Sequence, residues 1–225
     1  ESLDTVKTQA AEIKKVLFNG QKPEPVKQAP CVKKNEAFKT SGQVQYVAQN
    51  GNFRKKGLEY AGALDILKVI LSYDYLWINI RVKGGAYGCM SGFKRNGESF
   101  LVSYRDPHLK RTLEVYQGVP DYIRAFEADE REMTKYIIGT ISNKDVPRTP
   151  QMQGSISKTA YFSNVTEDML QKERNQILGA QKEDIQKLAA LVEAVLSDDQ
   201  ICVVGSETAI EKAEDVFMEV KPLIG

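Results

Sequence analysis

The sequence predicts an α+β fold in which helices pack against a mostly antiparallel sheet. Three observations support this fold class. Two strand-like runs, residues 87–94 and 99–104, flank an Asn-Gly pair, which is a strong short-range signal for a β-hairpin. Residues 58–81 are apolar on most faces, which predicts a largely buried helix. A short apolar run, residues 201–204, precedes another helical pattern near the end of the chain.

The first 34 residues are predicted to form a separate region. Apolar residues between positions 3 and 18 recur at helical spacing. The next stretch contains Pro23, Pro25 and Pro30, and proline both removes a backbone donor and disfavours helix in the residue before it. We therefore expect an N-terminal helix and a proline-containing linker over residues 1–34, followed by one α+β domain over residues 35–225.

The main domain should open with a half-buried strand between residues 38 and 53. Val44, Tyr46 and Ala48 alternate there with glutamines, so these three residues are expected on the buried face. The helix at residues 58–81 follows and should end at a Lys-Gly-Gly sequence, because glycine readily takes the left-handed conformation that ends helices. Residues 95–98 of the hairpin are expected to form a type I′ turn.

Most of the chain after the hairpin is predicted to be helical. Asp106 and Pro107 have the character of an N-cap and a first helical position, and the polar stretch at residues 147–158 is predicted to be a long loop. The remaining elements follow from periodicity and capping residues: a helix at 129–141, a helix capped by Thr166, a helix at 183–196, the strand at 201–204, and a helix at 207–220 capped by Ser206.

Composition restricts the function. Lys and Arg number 31 against 30 Asp and Glu, so a net charge of +1 gives no footprint for nucleic acid or an anionic membrane, and neither is expected as a partner. His108 is the only histidine, which argues against a complete zinc site in this chain. The three cysteines are far apart and fit a reducing compartment. Cys89 and Cys202 are predicted to be small buried side chains and not nucleophiles.

The junction between the buried helix and the hairpin carries the best candidate site. Arg81 should leave the last helical turn and Tyr87 the start of the strand, so their side chains could meet. A guanidinium and a phenol are donors suited to a peptide carbonyl and to the oxyanion that develops on it. The alternative is an arginine that favours the helix dipole and an ordinary strand aromatic. A phosphate loop does not fit, because glycine-rich phosphate loops run from strand to helix.

The run Ile-Arg-Val-Lys-Gly-Gly-Ala-Tyr-Gly at residues 80–88 and the Tyr-Arg-Asp-Pro at 104–107 resemble the last domain of insulysin- and pitrilysin-type zinc peptidases, particularly the presequence proteases. The resemblance covers residues 44–225. It implies a metallopeptidase or processing-peptidase-like α+β domain, the fourth of four that enclose a chamber for unstructured peptides. It assigns catalytic and substrate-binding roles to Arg81 and Tyr87, with Gly85 at the substrate.

The resemblance also implies that zinc and the general base lie in an N-terminal half of the same protein, on a His-x-x-Glu-His helix that is absent from this sequence. Zinc-bound water would attack the peptide carbonyl while Tyr87 stabilises the oxyanion. This chain alone is therefore expected to be inactive. The expected location is the cytoplasm of a bacterium or the matrix of a eukaryotic organelle. The alternative is a non-catalytic binding or scaffold domain of a processing-peptidase-like protein.

Overall fold

The computed structural model describes residues 3–17, 20 and 32–224. They divide into two compact units, with the division between Val32 and Lys33. The first unit contains helix α1 (Asp4–Val16), which corresponds to the predicted N-terminal helix and has exposed side chains throughout. The predicted linker with its three prolines lies outside the described residues.

The second unit is built on a six-stranded sheet with the order β3-β4-β2-β5-β1-β6. Three of the five strand pairs are antiparallel, and β1 pairs in parallel with both β5 and β6. The predicted α+β class with a mostly antiparallel sheet is therefore confirmed. The strands are β1 (Glu36–Thr40), β2 (Gln45–Asn52), β3 (Gly88–Phe93), β4 (Glu98–Asp106), β5 (Gln200–Ser206) and β6 (Glu219–Pro222).

One long helix forms the centre of the core and leads to the candidate site. It begins as α2 (Ala63–Ile70) and continues through two π-helical segments, Leu71–Tyr75 and Trp77–Val82. Its apolar side chains contact α5, α7, α8 and β3. The helix starts five residues later than the sequence predicts but ends where it predicts. Its fully buried residues are Leu64, Ile66, Leu67, Ile70, Leu71, Leu76 and Ile80.

The other helices surround this core. Thr166 caps α7 by accepting the Met169 N–H, as the sequence predicts, and Asp129 caps α5 by accepting the Glu132 N–H at 2.8 Å. The predicted helix at residues 183–196 is present but interrupted after its first turns. These helices are α3 (Lys110–Gln117), α4 (Val119–Arg124), α5 (Glu130–Lys144), α6 (Pro150–Phe162), α7 (Glu167–Leu178), α8 (Lys182–Gln186), α9 (Ala189–Leu196) and α10 (Glu207–Glu211).

The buried face of β2 is the opposite of the one predicted. Gln45 and Gln49 are 2% and 1% exposed, whereas Tyr46 is 47% exposed. A buried amide is tolerated when it is hydrogen-bonded. The Gln45 side-chain oxygen accepts the Ser206 N–H at 2.7 Å, and the Gln49 oxygen accepts a hydrogen bond from Gln117 Nε2 at 3.2 Å. Alternation alone identified the strand but not which face lies against the helices.

The predicted hairpin is present, but its turn is not of type I′. Gly97 has a φ of 88°, whereas Asn96 is not among the non-glycine residues with positive φ, and a type I′ turn needs positive φ at both central residues. The Lys94 N–H donates to the Glu98 carbonyl at 2.9 Å, and the Gly97 N–H donates to the Lys94 carbonyl at 2.8 Å. The connection is a three-residue loop with glycine in the left-handed position.

Helix α3 begins at Lys110, later than the predicted start at Asp106. Asp106 is the last residue of β4 and is fully buried. Its carboxylate accepts the His108 N–H at 2.9 Å and the Thr112 hydroxyl at 2.7 Å. Asp106 therefore caps a turn that comes before the helix, and His108 in that turn is exposed.

The predicted loop at residues 147–158 is wrong over most of its length. Thr149 accepts the Met152 N–H, and Pro150 occupies the first turn of α6. Every α6 side chain is exposed or half-buried, so the segment lacks the apolar periodicity that identifies a packed helix.

The predicted helix at residues 207–220 is also wrong beyond its first turns. Ser206 caps α10 as predicted, accepting the Ala209 N–H at 3.1 Å. A 3₁₀ turn over Glu214–Val216 follows, and then β6 pairs with β1. β6 is stabilised by its backbone hydrogen bonds to β1, which the apolar periodicity of its own residues does not predict.

Candidate functional site

The candidate site begins where the long helix ends. Its last π-helical segment carries Trp77 and Arg81, and π-helical turns often occur at functional sites. Gly85 has a φ of 79°, a conformation that favours glycine, and its N–H donates to the Arg81 carbonyl at 2.9 Å. A Cβ on Gly84 would lie 2.3 Å from the Ile80 carbonyl oxygen. The two glycines therefore allow the helix to end and the chain to turn within four residues of Arg81.

The structure brings Arg81 and Tyr87 together. The Arg81 guanidinium carbon lies 4.1 Å from the centre of the Trp77 ring and 6.0 Å from the centre of the Tyr87 ring. Both distances are within the range of cation–π contacts. Tyr87 is 60% exposed, so its ring is held on one side and open to solvent on the other. The arrangement presents a phenol and a guanidinium at one surface.

Tyr104 and Arg105, in the Tyr-Arg-Asp-Pro run, also contact Tyr87, although the sequence predicted no role for them at the site. The Arg105 guanidinium carbon lies 5.6 Å from the Tyr87 ring centre, and the Tyr104 ring lies at the same distance. The Tyr87 N–H donates to the Arg105 carbonyl at 3.3 Å. Gly88 pairs with Tyr104 across the hairpin, and extending this register by one residue sets Tyr87 opposite Arg105. The predicted two-residue turn would have set Tyr87 opposite Asp106, so only the observed three-residue loop identifies Arg105 as its neighbour.

The charge at the site is not neutralised. Among the residues that the structure describes, no carboxylate forms an ion pair with Arg81 or Arg105. Their guanidinium donors are therefore available to a ligand. A peptide carbonyl, or an oxygen that gains negative charge during a reaction, is the kind of group that such donors and a phenolic hydroxyl bind.

Cys89 lies two residues after Tyr87 and is half-buried. Burial and the Asp106 carboxylate raise the pKa of its thiol to about 11, while Arg81 lowers it. A thiol with this pKa stays protonated at neutral pH, so Cys89 is not a reactive thiolate, as predicted. Cys202 on β5 is exposed, which corrects the prediction that it is buried, because it lies on the outer face of its strand.

The described residues contain no group of three or more His, Cys, Asp and Glu side chains that could hold a metal ion. A zinc ion therefore does not fit the part of this chain that the structure describes.

None of the helices in the described residues is long and apolar enough to cross a lipid bilayer.

The family model for the PreP C-terminal domain matches residues 35–207. The chain belongs to this family. Its predicted resemblance to the presequence-protease subgroup is thereby confirmed. The match includes the whole candidate site, from Trp77 to Arg105.

Relatives of this PreP C-terminal domain are much longer proteins. Protein HypA of Clostridium perfringens is 50% identical over 192 residues, which are 85% of this chain and 20% of HypA. Presequence protease 1, chloroplastic/mitochondrial, of Arabidopsis thaliana is 34% identical over 192 residues, or 84% of this chain and 18% of that protein. The chain thus spans about a fifth of the length of the curated relatives it matches.

The fold is also found in solved structures. The peptidase M16 inactive domain from Pseudomonas fluorescens matches with a TM-score of 0.59 and 17% identity, over 100% of this chain and 52% of that one. At this identity the match concerns the fold alone. It confirms the predicted metallopeptidase-like α+β architecture.

Proposed function

We propose that this PreP C-terminal domain supplies Arg81 and Tyr87 to the active site of a longer zinc metallopeptidase that degrades unstructured peptides in a closed chamber. The observation that carries the proposal is the exposed phenol of Tyr87, with the unpaired guanidinium of Arg81 6.0 Å from its ring. Exposed aromatic residues and unneutralised arginines at one surface are typical of binding sites. Both residues also occupy the positions to which the family resemblance assigns these roles.

The two side chains suit different parts of peptide hydrolysis. The carbonyl oxygen gains negative charge as the peptide carbon becomes tetrahedral, and a hydrogen-bond donor held in place beside it lowers the barrier. The Tyr87 hydroxyl is the donor proposed for this oxyanion. Arg81 presents several N–H groups in a rigid plane and would hold the peptide in one orientation. Gly85 exposes backbone beside them and would lie along the substrate.

The site in this chain is incomplete for hydrolysis. Arg81 and Tyr87 can bind and orient a peptide, but neither can activate water at neutral pH. The family resemblance implies that the metal and the general base lie in the N-terminal half of the same protein, and the described residues contain no group of side chains that could hold a metal ion. That half is the proposed partner of this domain, and the active site would form when the two halves close on a peptide.

The first test is Tyr87→Phe in the full-length protein. We expect kcat to fall by about 10²–10³-fold with little change in KM, because the hydroxyl binds charge that exists mainly in the transition state. Turnover of an unstructured peptide should be measured by the appearance of new amino termini. The matched control is Tyr60→Phe, because Tyr60 also lies beneath an arginine, with the Arg95 guanidinium carbon 5.6 Å from its ring centre.

Tyr60→Phe should leave kcat unchanged, since Tyr60 lies at the other end of the hairpin. Near-normal turnover of Tyr87→Phe would remove the proposed role of the phenol. Arg81 and Tyr87 would then be structural residues of a domain that supports the fold of its parent.

A further inference from the structure

Arg105 has an unusual backbone conformation. Three non-glycine residues in the described ranges have positive φ: Arg105 at 49°, Asn164 at 52° and Asp199 at 46°. Asn and Asp tolerate this left-handed region because their short side chains can hydrogen-bond to the local backbone. Arginine has no such compensation. A long side chain in this conformation lowers the stability of the fold and persists only where the surrounding structure imposes it.

The chain on both sides of Arg105 keeps it in this conformation. Its carbonyl accepts the Tyr87 N–H at 3.3 Å. The next residue, Asp106, is fully buried, and its carboxylate accepts hydrogen bonds from His108 and Thr112. Asp106 also pairs with Gln45 on β2, and a register shift beside this pair marks a β-bulge in β4 that includes Arg105. The surrounding structure therefore fixes the backbone of Arg105 and, with it, the direction in which the side chain leaves.

That direction takes the guanidinium to Tyr87. The Arg105 guanidinium carbon lies 5.6 Å from the ring centre, closer than that of Arg81 at 6.0 Å. Arg105 is exposed, and within the described ranges no carboxylate pairs with it. Packing and ion pairing therefore give no reason for an arginine at this position. The contact with Tyr87 is the side-chain interaction that the structure shows for it.

We propose that Arg105 is a positioning residue for Tyr87, which holds the phenol ring through a cation–π contact so that its hydroxyl points toward the substrate. This inference rests on the proposed function, because it needs Tyr87 to act on the substrate. Arg105 acts through the ring, and the β-bulge fixes the backbone from which its guanidinium reaches Tyr87. Arg81 binds the peptide, whereas Arg105 orients the residue that stabilises the transition state.

A double-mutant cycle in the full-length protein tests the coupling. Arg105→Gln should lower kcat about tenfold with little change in KM, since a cation–π contact is lost but no substrate contact. In a Tyr87→Phe background the same substitution should lower kcat less than twofold, because the hydroxyl that Arg105 positions is already absent. An equal tenfold loss in both backgrounds would overturn the proposal and indicate that Arg105 binds the substrate directly.

The cycle separates this inference from the function on which it rests. If Tyr87→Phe lowers kcat but Arg105→Gln does not, the role of Arg105 fails and that of Tyr87 stands. If Tyr87→Phe has no effect, the proposed function fails first and the positioning role fails with it.

A stability measurement on the 225-residue chain tests the backbone argument. Arg105→Asn keeps a residue that tolerates positive φ and should raise Tm by about 2–4 °C while abolishing the contact with Tyr87. The reciprocal control is Asn164→Arg, which places an arginine at nearly the same φ without an aromatic partner and should lower Tm by a similar amount. If Arg105→Asn instead lowers Tm, the lost cation–π contact outweighs any relief of the backbone, and the strain argument is wrong.

Discussion

An arginine contacts a tyrosine at each end of the β3–β4 hairpin, but the two arginines differ in whether a carboxylate pairs with them. At the turn, Arg95 lies over Tyr60 and pairs with Glu173, whose side chain is only 9% exposed. At the open end, Arg81 and Arg105 lie near Tyr87 and have no carboxylate partner among the described residues. An arginine paired with a carboxylate has few free N–H donors for a ligand. An unneutralised one beside an exposed phenol can bind.

The same difference appears in the tyrosines. Burial, together with the nearby Asp65 carboxylate, raises the pKa of Tyr60 far above its usual range, as expected for a phenol enclosed within the fold. Tyr87 is 60% exposed. An arginine over a tyrosine is therefore not a sign of function by itself. The carboxylate that accompanies it, or is missing, distinguishes a structural contact from a candidate site.

The largest expected effect is at the structural end. Glu173→Ala leaves the Arg95 guanidinium without its bidentate partner, which is held by a 2.6 Å bond from Nε to the carboxylate. Glu173 is buried but Arg95 is 36% exposed, so loss of the pair should cost about 2–3 kcal/mol of unfolding free energy. Urea unfolding of the 225-residue chain measures it.

The control for Glu173→Ala is Asp145→Ala. Asp145 pairs with Arg174 in the same bidentate manner, at 2.7 Å for both bonds, but at the surface. Exposed ion pairs contribute little to stability, so this variant should unfold like the wild type. Equal effects of the two substitutions would show that burial does not distinguish these pairs and would remove one side of the comparison.

The sequence was sufficient for the elements with strong local signals. The buried helix, the hairpin, the caps at Thr166 and Ser206, and the junction of Arg81 with Tyr87 all follow from apolar periodicity, Asn-Gly, capping residues and a glycine pair. These signals are contained in a few adjacent residues. Tertiary contacts do not have to be known to interpret them.

The errors come from features that depend on distant partners. β6 forms because it pairs with the free edge of β1. Gln45 can be buried because its side-chain oxygen accepts a hydrogen bond from the Ser206 N–H. Helix α6 buries no side chain fully, so it lacks an apolar stripe. The contact of Arg105 with Tyr87 was not predicted, because it depends on the register of the hairpin, and the sequence predicted a turn one residue shorter than the observed one.

Gly97 at the turn and Gly85 at the open end both have positive φ, so replacing each with alanine compares the cost in stability at the two ends of the hairpin. Gly97→Ala places a Cβ 2.1 Å from Asn52 Oδ1, which also accepts the Arg54 N–H, so strain and a lost cap should together cost about 2 kcal/mol. Gly85→Ala meets only Pro107 Cγ at 3.6 Å and should cost about 1 kcal/mol through strain alone.

Chemical denaturation of the two alanine variants measures both losses of unfolding free energy. If Gly85→Ala proves the more damaging, the open end of the hairpin is packed more tightly than the structure indicates.

The last prediction exchanges arginine for lysine at each end. In the full-length protein, Arg81→Lys should lower kcat/KM about tenfold, or about 1.4 kcal/mol, because lysine keeps the charge but loses the planar group that orients a peptide. Arg95→Lys should leave kcat/KM unchanged and lower the midpoint of unfolding, because it loses one of the two bonds to Glu173. Peptide turnover and urea unfolding of both variants separate the two roles. If Arg81→Lys weakened only stability, the unpaired guanidinium would be a structural group like Arg95, and the contrast between the two ends would not mark a functional site.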